Sequence, residues 1–103
     1  MKPVEISVTC ASPEEASRIG DLLLTKKLVA CTQTWPIESR YWWNGEIVTD
    51  KEHVLLVKTL SEKFDDVVGI VKSCHSYELP AIVMHHIEKC NEGYVEWIKN
   101  SIE

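Results

Sequence analysis

The order of strand and helix patterns along this chain of 103 residues predicts an α+β fold. Two observations carry the prediction: the patterns follow one another as β-α-β-β-α-β-α, and an Asn-Gly pair joins the second and third strands. This is the order of a ferredoxin-like βαββαβ sandwich with an extra C-terminal helix, in which two helices cover one face of an antiparallel sheet. No repeat or linker divides the sequence, so residues 1–103 are predicted to form one domain.

The first strand and the first helix are clearly marked. Apolar and polar residues alternate from Val4 to Cys10, which is the period of a half-buried strand. A capping box from Ser12 to Glu15, with proline at the first helical position, predicts the start of a helix. In such a box the Ser hydroxyl and the Glu carboxylate accept each other's backbone N–H groups. Apolar residues at helical spacing extend this helix to about residue 27.

The second and third strands are predicted to form a long hairpin. Asn44-Gly45 is a strong hairpin signal, and it joins residues 28–43 to residues 46–60. Strands of about fifteen residues, at ~3.3 Å each, would reach ~50 Å and extend well beyond a domain of this size. Pro36 cannot donate to a ladder, so it indicates a bulge or an exposed edge.

The hairpin arms carry adjacent tryptophans, Trp42 and Trp43, near their tip. Arms that project from a small domain with such apolar side chains need a surface on which to pack. We therefore expect another subunit to cover them.

Three further elements complete the order. Ser61 is predicted to cap a second helix, whose apolar stripe runs from Phe64 to Cys74. A strand follows over residues 81–87, and Asn91 is predicted to cap a short final helix.

Composition excludes several classes of protein. The net charge is -5, from 11 Lys+Arg against 16 Asp+Glu, and no basic patch is dense enough to predict nucleic-acid binding. No apolar run approaches the ~20 residues of a membrane span, so no membrane insertion is predicted. The N-terminus lacks an apolar signal stretch, which predicts a cytoplasmic protein with four reduced thiols. Of these, Cys31 and Cys90 are expected to lie in the core.

Catalytic motifs are not found in the sequence. There is no Gly-rich phosphate loop, no GxSxG elbow and no HExxH helix. Cys31 or Cys74 could act as a nucleophile only with a partnered base, and residues as close as Cys74 and His75 rarely align in that way. The chain is therefore predicted not to be an enzyme.

The sequence favours a metal site over catalysis by cysteine. Thiolate and imidazole are preferred ligands of copper and zinc, and Cys10, Cys74 and His75 lie at the ends of a strand and a helix. Whether these ends meet within one chain is left open, and the alternative is that Cys10 and Cys74 complete buried stripes. The pair His85-His86 is excluded, because adjacent strand residues point to opposite faces. We expect one of these histidines to face the core and the other the solvent.

A second cluster of candidate site residues combines charge and aromatic rings: Tyr41, Trp43, Lys58, Tyr77 and Glu78. Lys58 alternates with apolar neighbours on its strand, so it must extend to water or pair with a carboxylate, for which Glu78 is a candidate. The cluster is either an ion pair that fixes an oligomer or an inter-subunit cleft for a small anionic molecule.

Several separate segments resemble the divalent-cation-tolerance (CutA) family, in that family's order and spacing. They are Ala30-Cys31, Pro36, residues 39–47, Lys58-Thr59, residues 75–82 and residues 94–98. The resemblance covers nearly the whole chain. It implies a ferredoxin-like homotrimer with long hairpin arms, an architecture like that of the PII signalling proteins, and an association with copper and other divalent metals. It implies no enzymatic activity.

The resemblance also implies a ligand set. A cysteine at the end of the first strand and a His-His pair before a later Pro-Tyr carry over to Cys10, Cys74 and His75. The chain departs from that pattern at Cys74, where the family has His, and at Ser76, where it has Pro. A thiolate at Cys74 is a softer ligand, which would favour Cu(I) or Zn(II).

Two functions are therefore predicted. The first is a homotrimeric metal-homeostasis protein that binds copper, zinc or another divalent ion through Cys10, Cys74 and His75. The alternative is a PII-like signalling or scaffold trimer that binds a small anionic ligand or a protein at the inter-subunit cleft.

Overall fold

The computed structural model describes residues 2–103 and has the predicted α+β, ferredoxin-like order. Its four strands are β1 (Pro3–Cys10), β2 (Cys31–Trp43), β3 (Glu46–Leu60) and β4 (Ile82–His86). They form one antiparallel sheet in the order β2-β3-β1-β4. The helices are α1 (Pro13–Thr25), α2 (Phe64–Cys74) and α3 (Tyr94–Ile102), and a 3-10 turn (Ser61–Lys63) precedes α2.

The main core lies between one face of the sheet and the helices α1 and α2. Buried and half-buried residues alternate strictly along β1, as the sequence predicts for a strand with one covered face. Ile6 and Val57 from the sheet are fully buried in the same cluster as Ile19 of α1 and Val67 of α2. This packing fixes the ends of β1, α1 and α2 relative to one another.

The opposite face of the sheet is covered at one end only. There α3 packs Ile98 and Ile102 against Leu60 at the end of β3. The rest of that face is open, with Trp35 42% exposed and Val83 45% exposed. The structure thus leaves apolar side chains uncovered on the side away from α1 and α2.

The long hairpin is confirmed. Asn44 and Gly45 have φ angles of 50° and 78°, the backbone of a tight turn whose twist matches the paired strands. The molecule is 45 Å long in its largest dimension. Pro36 lies on the outer strand β2 and pairs in regular register with His53 of β3, so the exposed edge, and not the bulge, is the correct alternative.

Three predicted helix boundaries are wrong. Helix α1 ends two residues early, because Lys27 has a φ of 59°. Ser61 lies in the 3-10 turn, and its side chain does not cap α2. Asn91 does not cap α3 either: the helix begins after Gly93, whose φ of 88° turns the chain without a side-chain cap.

Within residues 2–103, none of the helices has the length and apolar composition needed to cross a membrane. The longest, α1, has 13 residues.

Candidate metal centre

The C-terminal ends of β1 and α2 meet in this fold. Strand β3 is antiparallel to β1, and α2 returns along the sheet after β3, so α2 runs in the direction of β1. The residue after α2, His75, therefore lies beside the end of β1, with its Nε2 atom 2.8 Å from the Thr9 carbonyl oxygen. The question that the sequence left open is answered: these ends meet within one chain.

Three potential metal ligands converge at this point. The Cys10 thiol, a Glu15 carboxylate oxygen and a His75 ring nitrogen lie within 4.8 Å of one another. Cys10 has no exposed surface, Glu15 is 4% exposed, and the His75 side chain is fully buried. Thiolate, imidazole and carboxylate are the donors by which proteins hold zinc and copper, so the residues fit a divalent ion chemically.

Glu15 is the member of this cluster that the sequence analysis did not identify as a ligand. Its backbone N–H donates to Ser12 Oγ over 3.1 Å, which confirms the predicted cap of α1. Its carboxylate does not complete the reciprocal box. Instead Oε1 accepts the Ala11 N–H over 3.0 Å and Oε2 accepts the Ser76 N–H over 2.9 Å. An acidic residue in the first turn of a helix that directly follows Cys10 was the available signal.

The protonation of two cluster members follows from this environment. Burial pulls the pKa of Glu15 upward, but hydrogen bonds from Ala11 and Ser76 outweigh it and hold the pKa below its usual value, so Glu15 is a carboxylate. Burial, together with the nearby Glu15 charge, raises the pKa of Cys10 to about 12. Cys10 is therefore a neutral thiol.

The third predicted ligand, Cys74, stands outside the cluster. Its thiol donates to the Ile70 carbonyl one turn earlier in α2, over 3.2 Å. Its own carbonyl accepts a hydrogen bond from Arg18 over 3.0 Å. Of the three ligands predicted from the sequence, the structure thus brings Cys10 and His75 together and turns the Cys74 side chain along its helix.

Hydrogen bonds assign the tautomer of His75. The Tyr77 N–H donates to Nδ1 over 3.0 Å, so Nδ1 carries no proton. The Thr9 carbonyl can only accept, so Nε2 carries the proton. His75 is a neutral ring with both nitrogens occupied, and the Tyr77 ring packs against it at 4.9 Å between centroids.

Tyr77 connects this cluster to the base of the hairpin. Its hydroxyl donates to Glu52 Oε2 over 2.5 Å, and Glu52 on β3 is only 9% exposed. Burial and this hydrogen bond raise the pKa of Tyr77, which keeps the phenol protonated. A cavity of about 630 Å³ lies alongside, between the start of α1 and the two arms. Its lining residues are Ala11, Ser12, Pro13, Pro36, Ile37, Glu38, Lys51, Glu52 and His53.

The five residues predicted for an inter-subunit cleft are spread along the chain. Tyr41 pairs with Val48, ten residues before Lys58 on β3, a separation of about 33 Å at the usual rise of a strand. Tyr41 donates to Asp50 on the neighbouring strand, and Trp43 is 62% exposed beside the turn.

Lys58 and Glu78 are not partners within one chain. The Lys58 ammonium lies 5.6 Å from the centre of the Tyr94 ring, which it approaches as a cation approaches an aromatic face. Glu78 lies exposed in the segment between α2 and β4. A cleft that unites all five residues needs more than one subunit.

Two predictions about the remaining ligand-type residues are wrong. His85 and His86 point to opposite faces of the sheet as predicted, with His86 on the face of Val4, but both are exposed and neither lies in the core. All four cysteines are free thiols, but Cys90 is exposed rather than buried in the core. The core of β4 is instead supplied by Ile82 and Met84, which pack against the main cluster.

Comparison with known families gives a single match over nearly the whole chain. Residues 4–101 match the model of the CutA1 divalent ion tolerance protein. The chain belongs to the CutA1 family. The resemblance carried by separate motifs in the sequence is thereby confirmed.

CutA1 relatives are close in sequence over almost their full length. The divalent-cation tolerance protein CutA of Archaeoglobus fulgidus is 44% identical over 98 residues, which span 95% of this chain and 96% of that protein. The protein of the same name from Thermotoga maritima is 39% identical over 94 residues, 91% of this chain and 93% of that protein. The family name describes tolerance to divalent cations and not catalysis.

Solved CutA1 structures have the same fold. The periplasmic divalent cation tolerance protein CutA of Archaeoglobus fulgidus superposes with a TM-score of 0.96 at 42% identity, covering 98% of this chain and 99% of that one. CutA1 from Oryza sativa superposes with a TM-score of 0.94 at 35% identity, covering 98% and 94%.

Proposed function

We propose that the protein contributes to divalent cation tolerance by binding a metal ion, copper or zinc, between β1, α1 and the end of α2. The observation that carries the proposal is the convergence of Cys10, Glu15 and His75 within 4.8 Å in a buried site. Thiolate, carboxylate and imidazole are donor types by which proteins hold zinc and copper, and here all three side chains are buried and close together.

Glu15 is the third donor that the geometry favours, in place of Cys74. The Cys74 thiol is held against the Ile70 carbonyl and would have to rotate away from it to reach the others. Glu15 already has its carboxylate in position. Each of its oxygens accepts one backbone N–H, which leaves further lone pairs available.

A non-enzymatic role agrees with the state of Cys10. With its pKa raised to about 12, the thiol is a poor nucleophile at neutral pH. Metal binding by Cys10 must therefore displace its proton, so the apparent affinity is expected to rise with pH.

Zinc titration under reducing conditions tests the site. Cys10→Ser and Glu15→Gln are expected to weaken binding by about a hundredfold and about tenfold respectively, whereas Cys74→Ser leaves it within about twofold. The same series with copper ranks the two metals. Unchanged affinity in Cys10→Ser would overturn the proposed ligand set.

We further propose that CutA1-like protomers, each one domain of residues 1–103, assemble as a homotrimer. Support comes from apolar surface that one chain leaves uncovered: Trp42 is 72%, Trp43 62% and Ile47 54% exposed on the arms. Trp35 and Val83 add to it on the open face of the sheet. Sedimentation equilibrium at micromolar concentration is expected to give three times the chain mass, and a monomer would contradict the proposal.

The alternative of a PII-like trimer with a small anionic ligand has one structural observation in its favour, the cavity at the base of the hairpin. Lys51 and His53 line it, but so do the carboxylates of Glu38 and Glu52, which oppose an anion. A thermal-shift screen with nucleotides and anionic metabolites tests this alternative. A stabilising ligand whose effect is lost in Lys51→Ala would favour it over the metal proposal.

A cytoplasmic location is proposed on the strength of four free cysteines, one of them exposed at Cys90. The Archaeoglobus fulgidus relative is named as periplasmic, so the compartment needs its own test. Alkylation of thiols in intact cells followed by fractionation is expected to find Cys90 reduced in the cytoplasmic fraction.

A further inference from the structure

We propose that Tyr77 controls metal affinity at the Cys10–Glu15–His75 site. Tyr77 anchors residues 76–78, and this segment must move away from His75 before the imidazole can bind an ion. This inference rests on the proposed metal-binding function. It concerns Tyr77, whose backbone and side chain both hold the segment closed.

The hydrogen bonds of the two His75 nitrogens in the closed arrangement conflict with metal binding. In the closed arrangement Nδ1 accepts the Tyr77 N–H and Nε2 donates to Thr9. A neutral imidazole has one N–H, and the nitrogen that binds a metal must be without it. If His75 binds through Nε2, the proton moves to Nδ1. The Nδ1–H and the Tyr77 N–H then face each other, although these two nitrogen atoms lie only 3.0 Å apart in the closed arrangement.

Binding through the other nitrogen gives the same result. If His75 uses Nδ1, it must release the Tyr77 N–H directly from that lone pair. By either route the hydrogen bond from Tyr77 is lost. A donor left without a partner in this half-buried place is costly, so residues 76–78 must shift until the Tyr77 N–H reaches water or another acceptor.

The phenol of Tyr77 opposes that shift. It is bonded to Glu52 at the base of the hairpin, and the Ser76 N–H is bonded to Glu15, so two adjacent residues hold the segment in place. The closed and metal-bound states therefore compete. Any change that weakens the Tyr77–Glu52 bond lowers the cost of opening and tightens metal binding.

The test combines zinc affinity with nuclear magnetic resonance of the full-length protein. Tyr77→Phe keeps the ring against His75 and removes the hydroxyl. It is expected to bind zinc about tenfold more tightly than wild type, the usual worth of one such hydrogen bond. Glu52→Gln weakens the same bond from the other side and is expected to change affinity in the same direction. Tyr41→Phe is the matched control, since it removes a phenol–carboxylate bond from the arm, outside the metal centre, and should leave zinc affinity unchanged.

A second measurement needs no substitution. In zinc-free wild type, the Tyr77 amide is expected to exchange slowly with solvent and Nδ1 of His75 to give the nitrogen shift of an unprotonated acceptor. Saturation with zinc is expected to speed amide exchange at least tenfold and to change the shift of that nitrogen. A role of Tyr77 in folding alone would leave the exchange of its amide unchanged, whereas the nitrogen shift reports that His75 itself binds zinc.

Each outcome decides between the two proposals. If zinc binds without changing the exchange of the Tyr77 amide, Tyr77 does not control the affinity, and the metal site itself is unaffected. The same holds if Tyr77→Phe binds zinc no more tightly than Tyr41→Phe. If zinc binds neither to wild type nor to the variants, both the metal site and this inference are wrong.

Discussion

The two halves of the β2–β3 hairpin have the same strand pairing and opposite surroundings. At the base, Glu52 is buried, bonded to Tyr77 and joined through it to His75 and the ends of β1 and α2. Toward the tip, Tyr41 and Asp50 make a similar phenol–carboxylate bond on the exposed surface. The same interaction thus occurs once inside the fold and once outside it.

The difference shows what each half depends on. The base is stabilised by contacts of its own chain, and its polar groups have partners there. The distal half presents Trp42 and Trp43 to solvent, and its strands pair only with each other. Its apolar side chains are not covered by the described residues of the same chain, which is why the arms support the proposal of a trimer.

The largest expected effect separates the core from the arms. Ile6→Ala, at a fully buried position, should lower the free energy of unfolding by about 2–5 kcal/mol. Ile47→Ala, on the arm, should change the free energy of unfolding only by weakening the association of subunits. Urea denaturation at two protein concentrations checks this: the loss in Ile47→Ala must shrink on dilution, and a loss independent of concentration would contradict the account.

Removal of both arm tryptophans is the next largest change. Trp42→Ala combined with Trp43→Ala should weaken trimer association by at least about 2 kcal/mol, or thirtyfold, because large aromatic side chains dominate such interfaces. Leu24→Ala, at a partly exposed position on α1, is the matched control and should leave association unchanged. Sedimentation velocity gives the distribution of species, and an intact trimer in the double variant would show that the arms pack elsewhere.

Substitution of Glu15 should have a smaller effect on the free energy of unfolding, and this effect should depend on pH. The pKa of Glu15 is lowered in the folded protein, so its carboxylate stabilises the fold above the ordinary carboxyl range and loses that contribution as pH falls through the folded pKa. Glu15→Gln should cost about 1–3 kcal/mol at pH 7, because an amide nitrogen replaces one of two acceptors. The difference from wild type should narrow below about pH 4, near the ordinary carboxyl pKa. Denaturant unfolding at pH 7 and pH 3 measures it, and a constant difference would contradict the role of the charge.

The smallest effect compares the two tyrosines directly. Tyr77→Phe should cost about 1 kcal/mol of unfolding free energy and Tyr41→Phe clearly less, because solvent competes for the exposed pair. Thermal unfolding of the two variants beside wild type is sufficient. Equal losses would mean that the base of the hairpin is as open to water as its tip.

Much of this architecture was predictable from local patterns. Alternation in β1, the Asn44-Gly45 turn and the cap at Ser12 are short-range features, and each appears in the structure where the sequence places it. Ser61 and Asn91 failed as caps because the turns before α2 and α3 satisfy the chain in other ways, through a 3-10 turn and the left-handed Gly93.

The candidate site was predictable only in part, for a physical reason. Cys10 and His75 were found because they combine ligand chemistry with element ends. Glu15 was missed as a ligand because its carboxylate is aimed by Ser76, 61 residues away, which no local pattern reveals. The orientation of the Cys74 thiol depends on a hydrogen bond within α2 that the helix periodicity does not specify.

We propose that Cys10, with Glu15 and His75, holds a divalent ion. This ligand set can be read from the absorption spectrum of the protein loaded with Co²⁺, in which a bound thiolate gives a ligand-to-metal charge-transfer band in the near ultraviolet. We expect this band in wild type and in Cys74→Ser, and its loss in Cys10→Ser. A band that persists in Cys10→Ser and disappears in Cys74→Ser would contradict it.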